Sequence, residues 1–510
     1  MNEDLNSKEN QTNYENKSFK DSDLKIKNNW KSLIYNVAKG TMGNIGLGLI
    51  SIVFLKQWFW LFIILLIVLE VIFSIISRTY EYIELKDKEA HYHKGIFSKD
   101  TLIIQKKSFK SMDISQNLIE RILGYKVVKI ENPSKDFGTD DIKMSLTNEQ
   151  IDILKSFAFE NSYKENSLIS NEENLNEEEV YSSNDTINND IDSREIKEKK
   201  IKTKKLFLYG FTSFNLVIVS VFIFNIIGNI DDFITSDYLT SMIDGAISNS
   251  VIGTSIIFMI IGLLILLIIL KIIATIYYVI KYYNFTLYKE GNNIKISYGL
   301  FSTKEFSFRD NNIKLVKIKS NPLRQLLNIY ELSLVVKGYT GEGNDKIIMY
   351  PIGDLNEVKE VIENFIPDWS FEGKGTGIRH GKISIIIKPI ILIFIISVIA
   401  YLIFKIKWLW LINLFSIFTL INSILKIKNL NISIEDKNVR ATNGGLFRTI
   451  YILKGKDIQA VAFNTNPIQS KNNIGKITID YYSEISEEIK LQYMDKQYVE
   501  KLVKASKGLA

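Results

Sequence analysis

Apolar residues in this chain are concentrated in blocks that are separated by long polar stretches. Five blocks are close to the roughly 20 apolar residues needed to cross about 30 Å of hydrocarbon. They span 58–76, 206–228, 251–270, 383–404 and 408–425. A sixth block, 41–55, is shorter and rich in glycine. The six blocks predict three hairpins of membrane-spanning helices.

The stretches that follow the apolar pairs alternate between apolar and polar residues, as half-buried β-strands do. In 296–308, "ISYGLFSTKEFSF", this alternation is interrupted by Gly299-Leu300-Phe301. Similar triplets begin at Gly95 and Gly445. We therefore predict three copies of a β-domain, in each of which this glycine permits the positive φ of a tight turn.

A second shared piece follows each glycine by about twenty residues and predicts a turn or short helix that leads into a strand. It spans 115–130, 320–336 and 465–479. Pro322 and Pro467 suit a first helical position, and Asn117 is read as the first copy's counterpart of these prolines. Each copy then closes with an amphipathic helix, the first preceded by Thr147 and Gln150 at capping-box spacing.

Several strands and one terminal helix predict a small barrel or sandwich with the helix at an open end. On the "GLF" triplets, the "SNPLRQLLNI" segment and the apolar pair before every copy, the chain resembles the multi-pass bacterial membrane proteins that carry tandem bacterial PH domains. The resemblance covers nearly everything outside 1–30 and 160–200. It implies membrane hairpins alternating with three cytoplasmic α+β PH-like domains, and it implies little about the process served.

These patterns divide the chain into nine parts. They are a polar N-terminal segment (1–40), hairpin 1 (41–76), PH-like domain 1 (77–159), a disordered linker (160–205), hairpin 2 (206–280), PH-like domain 2 (281–367), a linker (368–382), hairpin 3 (383–426) and PH-like domain 3 (427–510). The first linker is rich in Glu, Asn and Ser, so it buries too little apolar surface to offset its ordering entropy.

Charge predicts the orientation. The loop 229–250 has four aspartates and no Lys or Arg, whereas 194–205 carries seven basic residues. By the positive-inside rule, the polar domains and both termini of this multi-pass protein are cytoplasmic and the protein lies in the cell membrane. The net charge of +6 is small for 510 residues, and its basic residues flank apolar blocks, so we expect no nucleic-acid partner.

The composition includes few of the residues that usually act as nucleophiles or metal ligands. Cysteine is absent, and the histidines are His91, His93 and His380. His91 and His93 share one strand face without a thiol or carboxylate at ligand spacing, so we interpret them as strand histidines and expect no metal. No phosphate-binding loop or catalytic triad is evident. We expect no enzyme, no cofactor and no small-molecule substrate.

Two sets of charged residues suggest alternative functions. Glu70 lies within an apolar block, where a charged side chain costs about 2.5–3.5 kcal/mol. It could serve a transporter or channel, make a helix-packing hydrogen bond, or be a neutral protonated carboxyl. Lys295, Lys304 and Arg309 could bind anionic lipid headgroups or be solvated strand residues.

The function that we predict is a non-catalytic membrane-anchored scaffold, because repeated small β-domains favour strand augmentation and multivalent assembly. Its expected partners are the lipid bilayer and either other membrane proteins or further copies of itself.

Overall fold

The structure is a computed structural model. It describes residues 24–43, ten positions between 64 and 76, 80–95, 99–109, 111–130, 141–159, 196–213, 252–337, 347–369, 375–378, 381–404, 413, 415–435, 438–481 and 487–508. The chain divides into two compact units. The first contains 1–195 together with 301–309, and the second contains 196–300 together with 310–510.

Among the described residues, the N-terminal part of the first unit forms the following strands and helices. In chain order they are β1 (Leu24–Lys27), α1 (Ser32–Gly43), β2 (Tyr82–Leu85), β3 (Glu89–Lys94), β4 (Asp100–Gln105), β5 (Ser111–Gln116), α2 (Leu118–Leu123), β6 (Lys126–Ile130), β7 (Ile142–Leu146) and α3 (Asn148–Phe159). All the strand pairs among them are antiparallel.

Two sheets form the core of the first unit. One has the order β1-β2-β3-β4, and the other contains β7, β6 and β5 in that order. Helix α3 buries Ile151, Leu154 and Phe157 in the same apolar cluster as both sheets. The predicted capping box is confirmed: the Thr147 amide donates to Gln150 Oε1 at 3.0 Å, and the Gln150 amide donates to Thr147 Oγ1 at 3.4 Å.

The remaining elements follow in chain order, and all except β11 belong to the second unit. They are β8 (Ile196–Lys200), α4 (Thr203–Thr212), α5 (Ile252–Lys281), β9 (Thr286–Glu290), β10 (Asn293–Tyr298), β11 (Thr303–Arg309), β12 (Ile313–Ser320), α6 (Pro322–Leu326), β13 (Ile329–Val336), β14 (Ile347–Asp354), α7 (Leu355–Phe365), β15 (Thr376–Gly377), α8 (Lys382–Phe404), α9 (Phe415–Asn429), β16 (Asn431–Glu435), β17 (Asn438–Asn443), β18 (Arg448–Lys454), β19 (Ile458–Asn464), α10 (Pro467–Ser470), β20 (Ile474–Tyr481), β21 (Glu488–Asp495) and α11 (Gln497–Ser506).

The described strands of the second unit are the neighbouring strands β8-β9-β10, the seven-stranded sheet β14-β13-β12-β18-β17-β16-β15 and the three-stranded sheet β19-β20-β21. Strand β12 is central in the seven-stranded sheet and is buried at most positions on both faces, whereas β10 alternates between buried and half-buried positions. Helix α7 contacts β13 and β14, and α11 contacts β19. Antiparallel PH-like sheets with terminal helices are thus observed.

Each copy also uses a strand from before its apolar segment. Strands β1, β8 and β15 pair with β2, β9 and β16, the first strands after that segment. The predicted linker 160–205 therefore ends in an ordered strand and the start of α4, and the predicted linker 368–382 contains β15. The disorder predicted for 160–195 lies outside the described residues. Sequence reasoning missed these strands because all three are short, β1 and β8 alternate with lysines, and β15 is only two residues long.

Two helices among the described residues are long and apolar enough to cross a bilayer, at Leu264–Lys281 and Lys382–Leu402. Helix α4 packs on α5, and α9 packs on α8, where Ser423 Oγ donates to the Ile385 carbonyl at 3.1 Å. Residues 44–63, most of 206–228 and most of 408–414 lie outside the described residues. The structure therefore describes part of the predicted second and third hairpins, and six spans are not shown.

The pairing of β8 with β9 gives a testable difference from a disordered linker. We expect backbone amides of 196–200 to exchange with deuterium more slowly than those of the denatured chain, because they belong to a ladder. Hydrogen-exchange mass spectrometry of the detergent-solubilised protein measures this. Exchange at the denatured rate would contradict the pairing.

Candidate functional site: contacts between consecutive copies

Strands of consecutive copies pair directly with each other. Strand β5 of the first copy is antiparallel to β11 of the second, with Gln116 opposite Thr303. Strand β12 of the second copy is antiparallel to β18 of the third, with Ser320 opposite Arg448. The prediction treated each copy as a separate barrel or sandwich. The structure corrects this, because each copy contributes a strand to a sheet of its neighbour.

Both of these pairings have the same register. Gln116 and Ser320 each stand directly before an asparagine that caps a short helix. Thr303 and Arg448 each stand four residues after a glycine with positive φ. A one-residue shift would turn every side chain of a strand to the other face of the sheet. The contact between copies is therefore a repeated element with a defined alignment.

Apolar side chains and ion pairs stabilise the contact between the second and third copies. Val316 and Ile452 lie opposite each other and are both fully buried. Lys314 Nζ lies 2.6 Å from Asp457 Oδ1. In the first unit, Met112 lies opposite Ser307 and is 1% exposed.

The turn glycines have positive φ in all three copies, but the third one differs from the prediction. The values are 111° for Gly95, 119° for Gly299 and 107° for Gly444. Gly444, and not Gly445, is thus the left-handed position. Gly445 is required for another reason: a Cβ there would lie 2.2 Å from the carbonyl oxygen of Asn422.

The third-copy turn lies between its own apolar helix and the second copy. The Leu446 amide donates to Asn422 Oδ1 at 2.9 Å, and Asn429 Nδ2 donates to the Gly444 carbonyl at 3.1 Å. Gln325 Nε2, from the second copy, donates to the carbonyls of Gly445 and Leu446 at 2.9 and 2.5 Å. The triplet of the third copy is therefore a contact point with the second copy.

A capping asparagine is common to the three short helices that follow. Asn117, Asn321 and Asn466 each accept a hydrogen bond from the backbone amide three residues on. The structural counterpart of Asn117 is therefore asparagine, and the prolines of the other copies lie one position later. The predicted equivalence of Asn117 with proline is wrong by one residue.

The capping asparagines of the first two copies also reach the helix that precedes the domain. Asn321 Nδ2 donates to the Thr212 carbonyl in α4 at 2.6 Å. Asn117 Nδ2 donates to the Tyr35 hydroxyl in α1 at 3.2 Å. These short helices therefore lie beside the ends of the apolar segments.

A buried polar network anchors the second copy to α4. Arg324 Nη1 donates to Glu331 Oε2 at 3.0 Å, and its other nitrogens donate to the hydroxyls of Thr212 and Ser213 at 3.2 and 3.1 Å. The guanidinium also lies over the ring of Tyr209, 4.5 Å from its centroid, and the Tyr209 hydroxyl donates to Glu331 at 3.0 Å. Sequence reasoning missed these residues because 112 positions separate Thr212 from Arg324.

Electrostatics keep this network charged. Burial by itself would raise the pKa of Glu331, but Arg324 and Lys319 act in the opposite direction and the resulting pKa is below its usual range. The equivalent of Arg324 is Glu120 in the first copy and Gln469 in the third, and both close a capping box instead. The Arg–Glu network therefore belongs to the second copy.

The three predicted lipid-facing residues are half-buried strand residues, and their binding to lipid stays a prediction. Lys304 and Arg309 lie in β11 of the first unit, whereas Lys295 lies in β10 of the second. Arg309 Nη2 donates to the Ala158 carbonyl at 3.1 Å. Lys295 and Lys304 lie opposite Tyr288 and Ser115.

Glu70 and His380 lie outside the described residues. His91 Nε2 lies 3.3 Å from Glu89, and His93 Nδ1 lies 3.1 Å from the Thr101 hydroxyl. Within the described ranges, no three potential ligands are close enough together to hold a metal ion.

The fold and its repeats define a chain of tandem PH-like β-domains. The family model of the bacterial PH domain matches residues 43–155, 241–366 and 384–510, which together exceed half of the chain. The protein therefore belongs to the bacterial PH domain family, with three tandem copies. No curated protein and no solved structure matches the chain.

Gly445, which has no room for a Cβ, and Gly377, which has room for one, should respond differently to substitution by alanine. We expect Gly445→Ala to lower the melting temperature of the purified protein, because the new methyl group would force the turn away from Asn422. Gly377→Ala is the matched control, since its Cβ would meet only the Leu430 carbonyl oxygen at 3.5 Å. Thermal unfolding followed by tryptophan fluorescence measures both. Equal shifts would contradict the close approach.

The buried ion pair predicts strong coupling between its partners. Arg324→Met alone would leave Glu331 charged and buried, at a cost of about 3–5 kcal/mol. Changing both residues, Arg324→Met with Glu331→Leu, should restore part of that stability, because no unpaired charge remains. Additive losses in a double-mutant cycle of thermal stability would contradict this coupling.

The same pair predicts a loss of stability in acid. Because the pKa of Glu331 is lowered on folding, its contribution is present above its ordinary pKa of 4.5 and is lost as the pH falls through the lower folded value. The Glu331→Gln variant should lack this component. Identical acid unfolding profiles of the variant and the wild type would contradict it.

Proposed function

We propose that the protein is a non-catalytic, membrane-anchored scaffold whose PH-like domains assemble through strand pairing. The observation that carries this proposal is the register-matched pairing between consecutive copies, in domains that are joined to exposed apolar helices.

The apolar helices support the membrane part of the proposal. Only 6% of the window Leu264–Lys281 and 11% of Lys382–Leu402 are buried by the rest of the protein. A core helix of a soluble protein would be mostly buried, so these helices need another apolar environment. A bilayer provides it, and their lengths fit its hydrocarbon core.

The short helices add a second apolar surface beside those segments. Ile122 in α2 is 83% exposed, and its equivalent Leu326 in α6 is 79% exposed. Ile119 and Leu323, a second equivalent pair, are 52% and 39% exposed. Because the capping asparagines of α2 and α6 bond to α1 and α4, the exposed side chains lie at the membrane end of each domain. We expect them to insert into the bilayer interface.

The strand contacts support the scaffold part. They use main-chain hydrogen bonds and apolar packing, which is the chemistry of strand augmentation. Three linked copies can bind several partners at once and gain effective concentration. We place the domains on the cytoplasmic side because the acidic, Lys- and Arg-free loop 229–250 is the best candidate for the outer side.

The chain contains no cysteine, so single cysteines can report its location without background. We expect Leu326→Cys, labelled with an environment-sensitive dye in reconstituted vesicles, to be quenched by lipid-attached quenchers. The matched control is Lys471→Cys, at the equivalent and exposed position of the third copy. Equal quenching at both sites would contradict the insertion of α6.

Anchoring and scaffolding need separate measurements. The protein should remain in the membrane fraction after a high-pH carbonate wash and be released by detergent. Crosslinking in membranes should then capture a reproducible set of proteins, or further copies, that an unrelated multi-pass protein of similar abundance does not capture. Release by carbonate would overturn the anchor, and a captured set identical to that of the control would overturn the scaffold.

A further inference from the structure

Two strand edges remain uncovered where the series of paired copies begins and ends. Strand β4 is the last strand of the sheet β1-β2-β3-β4, and β19 is the first strand of β19-β20-β21. Within the described part of the chain, neither has a neighbour on its outer side. Such an edge carries unpaired backbone N–H and C=O groups that can pair with another strand.

These two edges are the equivalents of the strands that pair between copies. Strand β4 occupies in the first copy the place of β11 and β18, directly before a short 3-10 turn. Strand β19 occupies in the third copy the place of β5 and β12, directly before a capped short helix. Inside the chain, strands equivalent to β19 pair with strands equivalent to β4. The edges β19 and β4 are therefore of the two kinds that pair with each other.

Apolar side chains on β4 and β19 are more exposed than the side chains at equivalent positions of the strands that pair between copies. Ile103 in β4 is 53% exposed, whereas its third-copy equivalent Ile452 is fully buried against Val316. Val461 in β19 is half-buried, whereas its equivalents Val316 and Met112 are 0% and 1% exposed. The apolar side chains that are covered between copies are left partly uncovered at the ends.

We propose that β19 of one molecule pairs antiparallel with β4 of a second copy of this chain, in the register used inside the chain. The alignment is fixed by two landmarks, the capping asparagine Asn466 and the left-handed Gly95. It places Val461 opposite Ile103, as Val316 lies opposite Ile452. Further copies add in the same way, since each new molecule brings one edge of each kind.

This inference rests on the proposed scaffold function and names the partner as a second copy. Molecules in one membrane share an orientation, so the edge β19 of one and the edge β4 of another lie on the same side of the bilayer. Confinement to the membrane also raises their effective concentration. The contact is head-to-tail, because the two edges differ in sequence and position.

Cysteine crosslinking tests the register directly. Two differently tagged full-length proteins are coexpressed, one with Ile103→Cys and the other with Val461→Cys, and the membranes are oxidised. Opposite residues of antiparallel strands have Cα atoms about 4.5–5.5 Å apart, within the range of a disulfide. We expect a crosslinked species that contains both tags.

The same-site mixtures distinguish other arrangements. Two Ile103→Cys proteins, or two Val461→Cys proteins, should not crosslink above background. A crosslink in either mixture, with none in the mixed pair, would overturn head-to-tail pairing in favour of a symmetric contact. If all three mixtures stay uncrosslinked, the inference fails, while capture of other proteins from membranes would still support the scaffold.

A charge on one edge should break the association. We expect Ile103→Lys to weaken self-association in detergent by at least about tenfold, because a lysine would oppose Val461. Ile196→Lys is the matched control, since Ile196 is 59% exposed on the edge strand β8. Mass photometry over a dilution series measures both. Equal effects of the two variants would overturn the assignment to β4 and β19.

Discussion

The main-chain ladder between consecutive copies is the constraint on which the rest of the structure depends. Each such pair fixes a register, and the register decides which side chains enter the core. Val316 and Ile452 are buried because β12 and β18 meet in one alignment. The turn at Gly444 must then lie against α6, where Gln325 donates to its carbonyls. Part of the core of one copy is consequently covered by a strand of the next copy.

The apolar segments are built into the domains by a second constraint. Strand β8 precedes α4 and α5 in the chain but pairs with β9, which follows them. Strand β15 does the same around α8 and α9 by pairing with β16. A sheet therefore closes the chain around each of these apolar segments. Strands β8 and β15 are edge strands, so a chain cut between either strand and its apolar segment would separate an edge strand from that segment.

The three copies differ where a short helix meets the preceding segment. One position carries Glu120, Arg324 or Gln469, and the neighbouring groups decide its role. Arg324 is buried with Glu331 and bonds to α4, whereas Gln469 closes a capping box on the short helix α10. The third copy carries Lys471 where the second carries the exposed Leu326. The second copy therefore has a buried ion pair at this position, whereas the first and third copies have a capping box.

Local pattern in the sequence determined the apolar blocks, the alternating strands and the terminal helices, because each of these lies within roughly twenty residues. The three-fold repeat followed from the recurrence of such short patterns along the chain. Tertiary structure decided which strands pair, since an edge strand has the same alternation whether its neighbour comes from its own copy or the next. It also decided that Gly444 takes the left-handed conformation while Gly445 permits close approach, and that Arg324 meets Glu331 and α4. These features depend on contacts between residues far apart in the chain, so the local periodicity of the sequence does not predict them.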